Sequence, residues 1–382
     1  MTDEKRLREV DILRALAFIF VVVQHGMGGL SYSNKIGIVD KVSLRLFYMV
    51  GKPAVPIFLF ISGLSLSYVY CKKLNLKNYY IKRIKYVIIP YLIWSAINMY
   101  KLGNEDRFAQ FFMQSAAGNG AFHLWYMGGI IRLYIFFPII LYISKKVHSM
   151  NKGARIAIFS TILILYYYIS KYQNLISDKI SLFIFRTPSD LQHRIVNISM
   201  LFWILYFILG IYAALNYEYV KEKLLKCKVI IYIAYFIFLV YALLNEFEVI
   251  PFNRALSIAY TTSSIMFFYV ISCQVVNKYK VYKCMRFISD YSFASYMAHV
   301  IVLSKVANYV NAWSVNIPNF LYASIITIVT VVLTTFIICI ISYIPYTSAI
   351  TGIKGNNAKM KKMFGYLRTY GKHSEYNINN EN

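Results

Sequence analysis

Long apolar runs separated by short basic ones fill most of the chain, and ten of these runs read as membrane-spanning helices. They fall at roughly 10–30, 47–70, 86–100, 122–143, 156–171, 198–216, 229–246, 255–276, 287–310 and 319–344, with ends good to a few residues. About 20 predominantly apolar residues cross the hydrocarbon core of a bilayer, and a backbone inside it must satisfy its own hydrogen bonds. The expectation is an all-α, polytopic integral membrane protein. The third run is interrupted by Pro90 and the fifth is short and bounded by lysines, so these two are the weakest.

Inside the first run the apolar pattern is broken in a regular way. At 100° per residue, Asp11 lies about 60° from Arg14 and Arg14 about 20° from His25, so the three share one stripe of the helix. Arg14 and His25 stand about 16 Å apart along the axis. A buried ionisable residue costs roughly 2.5–3.5 kcal/mol on insertion scales and is usually kept for a pathway, a counter-ion or a reaction. The stripe suggests a lined passage.

Composition agrees with a membrane protein. The 382 residues are 59% hydrophobic, with a mean hydropathy of +0.52, which excludes a soluble globular protein. The net charge of +25 does not point to nucleic acid. By the span assignment, about 27 of the 41 lysines and arginines fall on the side of the N-terminus. Both termini are therefore expected in the cytoplasm, with the basic loops facing anionic headgroups. No zinc, RNA-recognition or helix-turn-helix signature is present.

Cys71, Cys227 and Cys284 fall in inner loops, and Cys273 and Cys339 at inner span ends, so no structural disulfide is expected. The first run reads as a resident helix rather than a cleaved signal peptide. The longest outer loop, 172–197, carries Asp178, Lys179, Arg186, Asp190, His193 and Arg194 around an apolar run at 180–185. Two regions are expected: a membrane unit over 1–345 and a basic, disordered cytoplasmic tail over 346–382.

His25 heads the residues that can carry chemistry, because a neutral imidazole is a general base near physiological pH. The plain alternative is a histidine bonded to a neighbouring helix. Arg14 either pairs with Asp11 one turn away or presents its guanidinium fork to phosphate groups. Lys82, Arg83 and Lys85 precede the third run, where basic residues either mark topology or form an anion site at a helix start. The fourth run opens with His123, Trp125 and Tyr126, two of them ordinary aromatic-belt residues, and Arg132 lies deeper on the face of Trp125. In the ninth run Ser292 and His299 share a face with Tyr296 nearby, and His299 falls at a height similar to that of His25. Nothing around Ser292 marks it as a nucleophile. Ser62-Gly63 and the prolines before it permit a kink or a close helix contact. The histidines lie on separate segments without ligand spacing, so no metal site is read.

Taken together, these residues resemble the bacterial acyltransferase family 3. The resemblance lies in Val10-Asp11-Ile12-Leu13-Arg14-Ala15-Leu16-Ala17 with His25 beyond, and in Pro56 to Gly63. It continues through Lys82-Arg83 before Pro90-Tyr91, His123-Leu124-Trp125-Tyr126, and Ser289 to Ser292 with Tyr296 and His299. It spans 10–345 and is nearest to the stand-alone branch that includes the intercellular-adhesion polysaccharide modifiers of low-GC bacteria. It implies a ten-helix O-acyltransferase of the bacterial cytoplasmic membrane, with Arg14 and His25 as the essential pair. The acyl group, usually acetyl, would pass from acetyl-CoA, a donor substrate rather than a resident cofactor, to a hydroxyl of a cell-surface or lipid-linked glycan. Arg14, Lys82, Arg83 and Lys85 would bind the donor, and His123, Trp125, Tyr126, Arg132, Ser292, Tyr296 and His299 would serve the acceptor or assist. The competing expectation is a glycan exporter or flippase without transferase chemistry, since a polar stripe also suits a conduit.

Overall fold

The first helix begins where Arg8 follows an extended Leu7, and it runs 24 residues to Ser31. It is apolar nearly all round and buried at most positions, so it forms the axis of the bundle rather than a surface element. The computed structural model describes residues 6–33, 36–312 and 317–353. In order, the helices are α1 (Arg8–Ser31), α2 (Ile38–Gly51), α3 (Ala54–Tyr70), α4 (Leu76–Arg83), α5 (Ile89–Lys101), α6 (Phe111–Ala116), α7 (Trp125–His148), α8 (Lys152–Lys171) and α9 (Gln173–Phe185). They continue with α10 (Asp190–Asn197), α11 (Ile204–Leu215), α12 (Tyr217–Lys226), α13 (Lys228–Glu246), α14 (Arg254–Val275), α15 (Tyr279–Ala312), α16 (Asn319–Tyr343) and α17 (Ser348–Thr351). No strand occurs among the described residues.

Among the described residues, eight segments are long and apolar enough to cross a membrane, with α2–α3 and α10–α11 each counted as one. The other two expected spans coincide with the helical stretch from α4 through α5 and with the more polar α15, which is 34 residues long. Around α1 pack α2, α3, α14, α15 and α16. The outer helices present apolar side chains outward: Phe136 on α7, Ile164 on α8, Ile230 on α13 and Val332 on α16 are all more than half exposed. That is the surface a lipid-facing helix needs.

Local chemistry sets the breaks. Pro53 has no N–H to continue α2, so the helix steps at Lys52 and Pro53 and resumes as α3. Pro90 has the same effect on the preceding turn. The Ile89 N–H reaches back five residues to the Ile84 carbonyl, and the widened π turn at Ile84–Ile88 leads into the proline without ending the helix. Gly63 and Gly210 lie where α3 and α11 cross, and a Cβ on either would overlap the carbonyl of Phe207 or Phe60. The Ser62-Gly63 pair thus serves close helix contact.

The two ends of the bundle are tied differently. At the end where α1 starts, Glu9 accepts from the Tyr217 hydroxyl at 2.6 Å and from Lys221 at 2.5 Å, and Arg8 lies over the Tyr282 ring. These contacts gather several of the basic loops at one end. At the other end Glu246 meets Tyr32 and Lys52, and Asp40 caps α16 by accepting from the Asn319 and Phe320 amides at 2.8 and 3.3 Å.

Three sequence expectations change here. The loop at 172–197 is mostly helical, as α9 and α10. The start of the third span is no helix terminus: α4 begins at Leu76, capped by Asn75, so Arg83 and Lys85 lie within a continuous helical run and form no anion site at a helix start. The folded chain also continues past 345, because the Ile350 carbonyl on α17 accepts from the Trp94 indole at 2.9 Å. The rest of the expected tail, 354–382, lies outside the described residues.

Candidate active site

Three helical segments bring three histidines into one layer. His25 comes from the last third of α1, His123 from the short 3-10 turn before α7, and His299 from the middle of α15. Their ring centroids are 4.8 Å apart for His123 and His299, 5.3 Å for His25 and His299, and 6.3 Å for His25 and His123. Close packing makes the layer possible. A Cβ on Gly26, next to His25, would overlap the Thr327 hydroxyl, so α16 presses against α1 at this level.

The hydrogen bonds assign roles to the ring nitrogens. Nδ1 of His299 faces the Tyr296 carbonyl at 2.5 Å, and Nε2 of His123 faces the Met297 carbonyl at 3.3 Å. A carbonyl only accepts, so each of these nitrogens carries the proton. The other nitrogens, Nε2 of His299 and Nδ1 of His123, are then bare lone pairs, buried and without a partner. The side-chain oxygen of Asn98 is also buried without a partner, while its amide nitrogen holds the Met297 carbonyl, the one that His123 faces, at 2.9 Å. Buried polar atoms are normally paired, so a group of unpaired ones calls for an explanation, and a role in chemistry is one. His25 is only partly buried, with Phe122 5.1 Å away, and is the most accessible of the three.

Arg14 sits three turns below His25 and belongs to a different arrangement. Its guanidinium reaches Asp11 at 3.3 Å, Ser65 at 3.3 Å and Ser289 at 3.4 Å. All three are long beside the roughly 2.7–2.9 Å of a charge-assisted bond, so the fork is held loosely. Arg6 binds both Asp11 and Asp290, which takes up much of the negative charge that would otherwise hold Arg14.

Arg14 lies at the waist of two cavities. One, of about 370 Å³, opens at the basic end among Arg6, Asp11, Ser65, Ser289 and Asp290. The second, of about 220 Å³, shares Arg14 and Ser65, continues past Arg83, Tyr134 and Ser292, and ends at Tyr126 and Tyr296. Tyr296 closes the deep end. Its hydroxyl donates to the His123 carbonyl, and its ring lies 5.9 Å from His123 and 5.7 Å from His299. Arg14 and His25 therefore share one helix but not one cavity: His25 lines neither, Tyr296 stands between them, and the stripe of α1 does not form the continuous lined passage expected from the sequence.

The remaining sequence candidates divide. Arg83 lines the deeper cavity, lying over the rings of Tyr79 and Tyr134 at 5.5 and 5.6 Å. Lys82 and Lys85 are exposed and line neither cavity. Tyr126 and Ser292 line the deeper cavity, and the Ser292 hydroxyl is bonded to the Ser289 carbonyl at 2.9 Å. Trp125 packs on Trp203 at 5.6 Å, outside the histidine layer. Arg132 does not border the interior. It donates to the Ile195 carbonyl at 2.6 Å and the Ala116 carbonyl at 2.9 Å, pinning α10 and the end of α6 to α7. Its charge meets free carbonyls at helix ends, which satisfies it without a ligand. Sequence reasoning missed Ser65 and Arg6. Ser65 lies three residues past Ser62 on a glycine- and serine-bearing face of α3, which was the available signal.

A model of the family described as "Acyltransferase domain" matches residues 7–343, which covers every helix that lines the cavities and the histidine layer. Among curated proteins the chain is similar to a "Probable poly-beta-1,6-N-acetyl-D-glucosamine export protein" of Staphylococcus aureus (strain NCTC 8325 / PS 47). The identity is 25% over 335 residues, covering 85% of this chain and 90% of the relative. A protein of the same description from Staphylococcus epidermidis is 25% identical over 341 residues, covering 85% of this chain and 89% of the relative. No solved structure matches. With the family model covering nearly the whole helical bundle, the chain belongs to this acyltransferase family, as a multi-pass membrane member.

Proposed function

We propose that the protein moves an acyl group, acetyl in the simplest case, from acyl-CoA to a hydroxyl of a cell-surface glycan, and that it works in the bacterial cytoplasmic membrane. The observation that supports this most is the two-chamber path with Arg14 at its waist, ending one aromatic ring short of three clustered histidines. The donor's phosphates meet Arg14 and Arg83, whose guanidinium groups suit them. The pantetheine arm extends along the deeper cavity towards Tyr296. Rotation of the Tyr296 ring joins the cavity to the histidine layer.

In the transfer step, the acceptor hydroxyl oxygen attacks the thioester carbonyl carbon while His25 takes the hydroxyl proton. The carbon–sulfur bond breaks, CoA leaves as a thiolate, and the His25 proton neutralises it. The bare nitrogens of His123 and His299 favour the transient positive charge on His25, as an orienting partner does for a catalytic base. Because the hydroxyl attacks the thioester directly, no acyl-enzyme forms and no nucleophile on the chain is invoked.

A second reading is favoured by the description of the relatives as export proteins. A glycan conduit would need neither the phosphate-binding arginines nor a base. The two readings separate with purified protein and labelled acetyl-CoA: a transferase labels an added β-1,6-linked N-acetylglucosamine oligosaccharide. In proteoliposomes, an exporter moves that oligosaccharide across the bilayer without CoA. Label transfer absent from an active, CoA-independent transport preparation would overturn the transferase reading.

A further inference from the structure

A third, separate cavity lies at the end of the bundle opposite the Arg6 mouth, and neither the donor path nor the histidine layer uses it. It measures about 240 Å³, far more than an ion or a single water requires. Its walls are the α2–α3 corner and the ends of α8, α11, α13 and α14 that meet there. Flat rings dominate the lining, with Tyr166, Trp203, Tyr206, Tyr241, Phe252 and Tyr260 all contributing. Between them stand hydrogen-bonding groups: the amides of Gln173 and Asn245 and the hydroxyls of Ser170 and Ser257.

The charge of the cavity is one-sided. Lys52 and Arg254 line it, and no carboxylate does. Lys52 is offset by Glu246 at 3.4 Å behind the wall. Arg254 lies over the Phe252 ring at 4.8 Å and has no ion-pair partner among the described residues. An aliphatic chain would find a better match elsewhere. The groove between α7, α8 and α11 is lined by Ile140, Ile143, Val147, Ile162 and Ile204 and offers almost no polar contact.

We infer that the aromatic cavity is a glycan subsite, holding sugar units beside the one to be acylated and accepting uncharged or anionic sugars while rejecting cationic amino sugars. Sugar rings present C–H groups on their faces, which rest on the negative faces of aromatic rings, and hydroxyls on their edges, which need amide and hydroxyl partners. The unpaired Arg254 repels a protonated amine in the same space. Position supports the role. Trp203 in the cavity wall packs at a tilt on Trp125, two residues past His123, and the Gln24 amide, next to His25, donates to the Gly51 carbonyl beside Lys52 at 2.7 Å. These two contacts link the cavity wall to the segments that carry His123 and His25.

This inference rests on the transferase reading for its purpose, but not for its test. The full-length protein in nanodiscs is titrated with a β-1,6-linked N-acetylglucosamine oligosaccharide and with its de-N-acetylated, cationic counterpart. Binding is read by calorimetry and by tryptophan fluorescence. The acetylated form is expected to bind at least tenfold more tightly. Phe252→Ala, a change at an exposed ring, weakens it several-fold, and Arg254→Glu reduces or inverts the preference. Equal affinity for the two forms, no binding of either, or a preference untouched by both variants would overturn the inference. Glycan binding and acyl transfer, measured side by side, distinguish the two proposals. Retained glycan binding with no acyl transfer by the wild type sinks the transferase and leaves the subsite. Acyl transfer whose KM for glycan ignores Arg254→Glu and Phe252→Ala sinks the subsite and leaves the transferase.

Discussion

His25, His123 and His299 differ in what each can do, although their rings nearly touch. His123 and His299 are fixed by backbone carbonyls, while no carbonyl fixes His25, which is also the most open to an incoming hydroxyl. His25→Ala is therefore expected to lower kcat by about 10²–10⁴-fold, the usual contribution of a general base, with little change in KM for acyl-CoA. Steady-state transfer assays check the split. Arg14 carries the opposite signature: Arg14→Lys loses the planar fork and should raise KM for acyl-CoA by roughly tenfold. Tyr296 is the partition. Tyr296→Ala should join cavity and histidine layer permanently and raise acceptor-independent hydrolysis of acyl-CoA, measured as free thiol release, whereas Tyr296→Phe keeps the ring and should leak far less.

At the level of helices, the site depends on a few close approaches. Gly63 and Gly210 let α3 and α11 cross with backbone in contact, and α3 supplies Ser62 and Ser65 to the deeper cavity. Gly63→Leu should force the pair apart, cost about 1–3 kcal/mol as overpacking does, and lower the melting temperature in detergent. The helical pattern was legible because membrane spans announce themselves by length and apolarity, and the shared height of His25 and His299 followed from helical rise alone. The inward turn of Arg83 and the outward turn of Lys82 and Lys85 were also implicit, since residues one and two apart do not share a helix face. What could not be read was Arg132. Its partners are carbonyls contributed by Ala116 and Ile195, and only the tertiary fold brings them to α7. The helical state of 172–197 was hidden for a similar reason: its polar residues match a loop, and the bonds that anchor it, from Arg194 to the Ala117 carbonyl and from Arg132 to the Ile195 carbonyl, are non-local.

For the whole molecule, charge and polarity are arranged along the bundle axis. Arginines and paired aspartates occupy one end, a layer of histidines lies in the far half of α1, and a cationic aromatic cavity sits beyond. Such an order suits a reaction whose donor is a phosphorylated soluble molecule and whose acceptor is a glycan on the other side. Lys82 and Lys85 are exposed and line neither cavity, so on the proposed reading they reach the donor only through the long-range field. Their double alanine variant should change KM for acyl-CoA by less than about threefold at physiological salt, where the Debye length is about 8 Å. The most direct test is transfer of labelled acetyl from acetyl-CoA to a β-1,6-linked N-acetylglucosamine oligosaccharide by the purified protein, run beside His25→Ala and Arg14→Lys. The account predicts label on the sugar with the wild type, a kcat loss with the first variant and a KM rise for acetyl-CoA with the second. Undiminished transfer by His25→Ala would contradict it.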